Sequence, residues 1–220
     1  MIVRRYTDLQ QKNLEEIHNK NNQEILEKIT NFMNHNNLSA EDFFIGGSSC
    51  CSYMNYFILS KVQDVDIFML KDIEVEKTDG IDVIINQAIT GYEPELVEKD
   101  GFYFISAWHA LMAFAVKALL KKQKHSILYF KVLLHYYFDM TIEEFQEHFE
   151  QEWEQHVFQF RFKEDALNIV TNSMPLLQEW GKAPKSLPDY FSATPITLSE
   201  EETTKRITIV SGAIPDEYYN

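Results

Sequence analysis

The sequence predicts an α+β fold, because its first half carries strand patterns and its second half carries helix patterns. Short runs rich in Val, Ile and Phe have the length and composition of strands: residues 43–45, 62–70 and 81–85. From residue 106 onward, apolar residues recur at the spacing of amphipathic helices. With 220 residues, of which 45% are hydrophobic and 14% aromatic, the chain can bury a substantial core. The expected divisions are an N-terminal helix with an α/β lobe over 1–103, a helical lobe over 104–190 and an extension over 191–220.

A helical segment precedes the first predicted strand. Apolar residues between positions 7 and 35 recur at helical spacing, and Thr7 or Asp8 can cap the start. The segment is one helix or, if the polar stretch from Asn19 to Asn22 breaks it, two helices. A further helix is expected over residues 49–60.

Helices also account for most of the chain after residue 106. The strongest patterns cover residues 106–122, 126–138, 141–158 and 165–180. Thr141 and Glu144 have the spacing of a capping box at the start of the third of these helices. Residues 91–101 are predicted to be a loop. Residues 207–210 form a strand-like run within an extension that either wraps around the body or is loose.

Two acids in the second predicted strand are separated by a single residue. Residues i and i+2 of a strand point to the same face, so Asp64 and Asp66 would stand side by side while Val65 and Ile67 enter the core. Two like charges about 7 Å apart repel each other unless a cation lies between them. A third acid, Asp82, lies in the next predicted strand and is expected to be buried. Two alternatives stay open: Asp64 could cap a loop, with only Asp66 on the strand, and Asp82 could face solvent at the start of an edge strand. The acid triad (Asp64, Asp66 and Asp82) indicates a divalent metal site.

A glycine-rich turn separates the first strand from the helix predicted after it. We call it the glycine turn, and it consists of Gly46, Gly47, Ser48 and Ser49. Its glycines allow the backbone to approach a ligand closely, and N–H groups at the start of a helix attract anions. The two serines add hydroxyl donors, and Ser48 or Ser49 is the expected N-cap of the helix. The pattern indicates a phosphate site, although the glycines alone are also compatible with an ordinary tight turn.

The order and spacing of these motifs resemble the nucleotidyltransferase superfamily of the DNA polymerase β type. That family has a strand ending in Gly-Gly or Gly-Ser, then a helix, a strand with Asp-x-Asp, and a third acid on a following strand. The matching residues here are Gly46-Gly47-Ser48, Asp64 and Asp66, and Asp82. The resemblance covers roughly residues 40–135. It implies a small mixed-sheet nucleotidyltransferase lobe followed by a helical lobe.

The resemblance also implies a reaction. Such an enzyme transfers a nucleoside monophosphate from a nucleoside triphosphate (NTP), for example ATP, to a hydroxyl acceptor and releases pyrophosphate. It implies that the acid triad binds two Mg²⁺ ions, for which Mn²⁺ could substitute, and that Asp82 helps to deprotonate the acceptor. The glycine turn would bind the triphosphate. Lys117, whose neighbours in the sequence are apolar, faces either the triphosphate or solvent.

The motifs do not identify the acceptor. Relatives that act on transfer RNA carry an Arg-Asp pair in the helix after the glycines, where this chain has Tyr53-Met54-Asn55. The formal net charge is −14, and an acidic surface repels a phosphate backbone. No long nucleic-acid footprint is expected. The acceptors that fit are a small molecule, a protein side chain or the end of an RNA.

Cysteine usage predicts a cytoplasmic protein. The two cysteines, Cys50 and Cys51, are neighbours and cannot form an unstrained disulfide with each other, so a reducing compartment is expected. They are interpreted as small packing residues. The N-terminus has no signal-peptide pattern, and no apolar stretch approaches the roughly 20 residues that cross a bilayer, so no membrane partner is expected.

Two other classes of function stay open. A catalytically inactive relative would keep the nucleotidyltransferase fold as a binding or interaction module, and an acidic scaffold would carry the glycines and acids incidentally. The histidines give a weaker hypothesis. His148 and His156 could bind a metal with nearby glutamates, but a solvated acidic helix face is the simpler interpretation. His109 is expected to pack in the core.

Overall fold

The prediction of an α+β fold is confirmed by a computed structural model, which describes residues 8–59, 61–85, 95–121, 124–148, 192–194 and 207–210. Helix α1 (Asp8–His35) precedes a five-stranded mixed sheet built from β1 (Phe43–Gly46), β3 (Val65–Met69), β4 (Ile81–Ile85), β5 (Leu96–Lys99) and β6 (Phe102–Ile105). The strand order is β4-β3-β1-β6-β5. The other elements are a 3-10 helical turn (Ala40–Asp42), α2 (Gly47–Tyr53), β2 (Ile58–Leu59), α3 (Ala107–Lys121), α4 (Lys124–Val132), a π-helical turn (Leu133–Tyr137), a helical stretch at 142–148, β7 (Ser192–Thr194) and β8 (Ile207–Val210).

Of the two alternatives for the first helical segment, the single helix is correct, because α1 is continuous. Asn21, in the middle of the polar stretch, is buried and its side-chain amide donates a hydrogen bond to the Leu59 carbonyl. The amide is therefore satisfied inside the protein, and a buried polar residue with a partner does not interrupt a helix. Further along α1, the Phe32 ring packs edge-on against Phe43 with 6.2 Å between ring centroids. This contact places α1 on one face of the sheet.

Strands β3 and β4 are parallel neighbours, although the connection between them contains no helix. The connection, residues 70–80, is tied to the C-terminal part of α1. His35 Nε2 lies 2.9 Å from Glu76 Oε2, and Asn36 exchanges hydrogen bonds of 3.2 and 2.7 Å with the main chain of Glu76. A Cβ at Gly80 would lie 2.8 Å from Cε of Lys28, also on α1. The connection between β3 and β4 therefore runs on the side of the sheet that α1 covers.

The predicted loop at residues 91–101 is wrong for its described part, where β5 begins. Strands β5 and β6 form an antiparallel hairpin. Its two turn residues, Asp100 and Gly101, have φ values of 52° and 79°, which is the turn that Asp-Gly favours between strands. Strand β6 also pairs in parallel with β1 through Ile45 and Phe104. The sheet thus extends to Ile105, two residues past the expected end of the α/β lobe.

Helix α2 is shorter than predicted and ends at Tyr53. Its N-cap is Gly46, with no side-chain capping hydrogen bond, so neither serine has the predicted capping role. Asn55 has a φ of 62°, a left-handed conformation that turns the chain toward β2. Strand β2 pairs in parallel with β8, and β8 pairs with β7. The strand predicted at 207–210 is confirmed, and this part of the C-terminal extension pairs with the body.

The helices predicted at 106–122 and 126–138 are confirmed, as α3 and as α4 with its π-helical continuation. The capping box is also confirmed. The Thr141 main-chain N–H donates to Glu144 Oε2 at 2.8 Å, and the Glu144 N–H donates to Thr141 Oγ1 at 3.2 Å. Beyond residue 148, the helices predicted to 158 and over 165–180 lie outside the described residues.

Asp42, immediately before β1, is expected to stabilise the fold in a pH-dependent way. Hydrogen bonding from Lys71, followed by that from Ser39, lowers the pKa of Asp42 from 3.8 to about 2. The stabilisation is complete above pH 3.8 and is lost as the pH falls through about 2. We expect Asp42→Asn to lower the Tm at pH 7 and to lower it less at pH 2, measured by thermal unfolding. The exposed Asp72→Asn is the control, and equal Tm losses at both pH values would contradict the prediction.

Candidate metal and nucleotide site

Asp66 and Asp82 project from the face of the sheet that points away from α1. Along β3, Val65, Ile67 and Met69 are buried on the α1 face, as the alternation predicts. Asp66 lies between them and projects to the opposite face. It is in register with Asp82 on β4, and paired residues of neighbouring strands share a face. The structure therefore brings these two predicted site residues together.

The expectation that Asp64 stands beside Asp66 within the strand is wrong, and so is the expectation that Asp82 is buried. Asp64 lies one residue before β3, and it is exposed. Asp82 was expected to be buried, but it is exposed because β4 is an edge strand of the sheet. The sequence pattern identifies these residues as acids within apolar runs, but it contains no information on which strand becomes the edge.

Asp66 is the partly buried member of the acid triad. Burial raises the pKa of its carboxyl group, the positive charge of Lys117 opposes that rise, and the negative charges of Asp64 and Asp82 add to it. The other two acids and Lys117 therefore all lie within electrostatic reach of Asp66. A carboxylate in this environment is poorly stabilised when ionised, and a bound cation would offset the cost.

The donor chemistry of the triad fits a hard divalent cation, whereas the side-chain positions are not those of a closed metal site. Within the described ranges, no group of three His, Cys, Asp or Glu side chains lies close enough together to hold a metal ion. Carboxylate oxygens are the ligands that Mg²⁺ and Mn²⁺ prefer. Asp64 and Asp82 are exposed, so rotation about χ1 would move their oxygens without disturbing core packing. Binding of an ion by the triad requires such a rotation.

The glycine turn lies directly against β3. Gly47 has a φ of 68°, and a Cβ built on it would lie 1.7 Å from Asp66 Oδ2. A Cβ on Gly46 would lie 2.5 Å from Cε2 of Phe68, whose ring also stacks on Phe44 at 4.9 Å between centroids. Both glycines are therefore needed for close approach. The role of Phe68 was missed in the sequence, although its position two residues after Asp66 places it on the same face.

The two serines of the glycine turn have different environments. Ser48 is half-buried in the first turn of α2. Ser49 is 1% exposed, and its hydroxyl donates a hydrogen bond to the main-chain carbonyl of Asp64. The Ser49 hydroxyl was predicted to bind the triphosphate, but the structure gives it this internal partner instead. No sequence signal distinguishes the two adjacent serines, because the difference depends on which side of α2 faces β3.

Lys117 lies on α3, where it is half-buried. Its charge lowers the pKa values of both Asp66 and Cys51, so it belongs to the neighbourhood of the site. Of the two interpretations of Lys117, this finding favours the one in which its side chain faces the site and not solvent.

Cys50 and Cys51 are free and fully buried, and burial raises the pKa of both thiols. They are packing residues, as predicted.

The histidines differ from one another in environment, and His109 is less buried than the core position expected for it. His109 is half-buried at the start of α3, and its Nδ1 lies 3.0 Å from Ser106 Oγ and 3.2 Å from the Glu95 main-chain nitrogen. His148 is exposed, with its ring 5.9 Å from that of Trp108. His156, the partner in the weaker metal hypothesis, lies outside the described residues.

Comparison with known proteins gives no relative: no protein-family model, curated protein or solved structure matches this chain. No helix among the described residues is long and apolar enough to cross a membrane. The functional interpretation therefore depends on the chemistry of the site itself.

Proposed function

We propose that this protein is a metal-dependent nucleotidyltransferase, which transfers a nucleoside monophosphate from an NTP to a hydroxyl acceptor. The observation that carries the proposal is the in-register pairing of Asp66 with Asp82 beside the glycine turn. The close contact of Gly47 with the Asp66 carboxylate puts a backbone suited to phosphate next to acids suited to metal. These are the two components that an NTP-Mg²⁺ complex requires.

The triphosphate would be bound by the chain's own donors. Main-chain N–H groups of the glycine turn and the Ser48 hydroxyl supply hydrogen bonds, and Lys117 supplies a positive charge. Helix α2 has only seven residues, so its dipole adds less than that of a long helix. The main contribution therefore comes from individual hydrogen bonds and charges.

The acid triad would hold Mg²⁺ or Mn²⁺, which when bound supplies positive charge against the triphosphate and the departing pyrophosphate. Asp82, which is exposed on an edge strand, would accept the proton of the acceptor hydroxyl. The acceptor oxygen forms a bond to the α-phosphorus, and the bond from the α-phosphorus to the bridging oxygen breaks. The products are the nucleotidylated acceptor and pyrophosphate, which takes the electron pair of the broken bond.

The formal net charge of −14 disfavours an acceptor with a long phosphate backbone, because the protein surface would repel it. A small molecule, a protein side chain or an RNA end fits that requirement. We place the activity in the cytoplasm, because NTPs and a reducing environment for the two free cysteines are both found there.

The proposal is tested by isothermal titration of ATP, GTP, CTP and UTP into the full chain, with and without Mg²⁺. At least one NTP is expected to bind only when Mg²⁺ is present. Asp66→Asn is expected to remove that binding, whereas the exposed Asp72→Asn keeps it. Incubation of the protein with labelled NTPs, Mg²⁺ or Mn²⁺ and cell extract then identifies the labelled acceptor. Absence of binding by all four NTPs with either metal would overturn the proposal.

An inactive relative that serves as a binding module is the second candidate. The observation that favours it is that the described acids do not form a closed metal group. It predicts nucleotide binding that is independent of Mg²⁺, or no nucleotide binding, and no labelled product in the extract. The same titrations therefore distinguish it from the enzyme.

Lys117→Met is expected to weaken ATP binding at saturating Mg²⁺ by about tenfold, which corresponds to about 1.4 kcal/mol. The substitution removes a positive charge near both the acids and the proposed phosphates. It also removes the charge that opposes the rise in the pKa of Asp66, so that pKa is expected to rise further. Titration calorimetry measures the first effect. Lys20→Met, on an exposed part of α1, is the control, and equal affinities of the two variants would contradict a role of Lys117 in the site.

A further inference from the structure

Ser49 holds one side of the peptide that joins Asp64 to Val65. Its buried hydroxyl donates to the carbonyl of this peptide. The N–H of the same peptide, which belongs to Val65, donates to the Gly80 carbonyl at 2.9 Å. One peptide unit is therefore held between α2 on one side and the turn before β4 on the other.

This peptide limits where Asp64 can stand. The last pair of the β1–β3 ladder is Gly46 with Asp66, and the β3–β4 pairing begins at Val65. Asp64 itself lies outside both ladders: the Val65 N–H bond to Gly80 continues the β3–β4 pairing, whereas the Ser49 hydroxyl is the partner of the Asp64 carbonyl. The orientation of the peptide plane depends on ψ of Asp64 and φ of Val65. Holding both its C=O and its N–H fixes the peptide plane, and with it the position of the Asp64 Cα from which the side chain extends.

We infer that Ser49 is a positioning residue for Asp64, and that its hydroxyl contacts neither nucleotide nor metal. This inference rests on the proposed function. The glycine turn then acts on two acids in different ways, since Gly47 packs against the Asp66 carboxylate and Ser49 holds the Asp64 main chain. Ser49 would thereby link the position of the phosphate-binding turn to the position of a metal ligand.

The test is calorimetric titration of ATP, or whichever NTP the wild type binds, into the full chain at a series of Mg²⁺ concentrations. It gives the Mg²⁺ concentration at half-maximal binding and the nucleotide Kd at saturating Mg²⁺. Ser49→Ala is expected to raise the half-maximal Mg²⁺ concentration by about tenfold, the low end of the range for residues that orient metal ligands. The nucleotide Kd at saturating Mg²⁺ should change by less than about threefold. Ser49→Thr keeps the hydroxyl and is expected to restore the wild-type Mg²⁺ requirement.

Ser52→Ala is the matched control. Ser52 lies on the same helix and is 0% exposed. Its Oγ accepts a hydrogen bond from the Leu59 N–H at 3.2 Å, so it holds β2 and not Asp64. This variant should lose thermal stability and keep the wild-type Mg²⁺ requirement. An unchanged requirement in Ser49→Ala, an equal shift in Ser52→Ala, or loss of nucleotide binding at saturating Mg²⁺ in Ser49→Ala would overturn the inference alone. A wild type that binds no NTP in a Mg²⁺-dependent way would overturn the proposed function, and the inference with it.

Discussion

Replacing Gly47 by alanine is expected to abolish Mg²⁺-dependent NTP binding and to destabilise the protein. The φ of 68° is unfavourable for alanine by roughly 1–2 kcal/mol. The added methyl group would also lie 1.7 Å from Asp66 Oδ2, a distance that no two non-bonded atoms can keep. Either the carboxylate or the turn must move, and each movement separates the proposed phosphate-binding backbone from the proposed metal ligand. Calorimetric titration and thermal unfolding measure the two effects.

Gly101→Ala is the control for Gly47→Ala, because it introduces backbone strain without steric overlap. Gly101 has a φ of 79°, and a Cβ built on it meets no atom within 4 Å. This variant should therefore lower the Tm by about 2–4 °C for each kcal/mol of strain and leave NTP binding unchanged. If Gly47→Ala also bound NTP with wild-type affinity, the close contact between the turn and Asp66 would have no functional role.

Asp66→Asn is expected to abolish Mg²⁺-dependent NTP binding and to raise the Tm of the metal-free protein at neutral pH. Burial and the charges of Asp64 and Asp82 raise the pKa of Asp66 despite the opposing charge of Lys117, so the ionised carboxylate destabilises the fold. Removing such a charge typically stabilises a protein by about 0.5–2 kcal/mol. A gain in stability that accompanies a loss of function is the pattern expected of a binding site and not of a structural ion pair.

The pH dependence of that gain follows from the direction of the pKa shift. The destabilisation is fully present above the raised pKa of the folded state, and it vanishes as the pH falls to the unfolded value of 3.8. The Tm advantage of Asp66→Asn should therefore be largest near neutral pH and disappear below about pH 4. Thermal unfolding in EDTA across this range measures it, and Asp72→Asn should show no comparable gain. A lower Tm for Asp66→Asn at pH 7 would refute this account.

Patterns that depend on neighbouring residues were predicted well. The alternation along β3 placed Val65 and Ile67 in the core, the bounds of β4 matched, and the capping box of Thr141 and Glu144 formed with both hydrogen bonds. Strand alternation and helix capping are properties of a few consecutive residues, so the sequence contains them in full. The β5–β6 hairpin was also locally encoded in Asp100-Gly101, although the prediction assigned that dipeptide to a loop.

By itself, the sequence determined the α+β class, the positions of the principal helices and of three of the five strands in the main sheet, and the residue types of the candidate site. Only the tertiary structure decided that α1 passes through its polar stretch without a break, because Asn21 finds its partner at Leu59. The same is true of the parallel pairing that sets Asp82 beside Asp66, and of the hydrogen bond that gives Ser49 a structural partner while Ser48 is left half-buried. In each case the deciding contact joins residues at least 15 positions apart, and local periodicity has no information on such contacts.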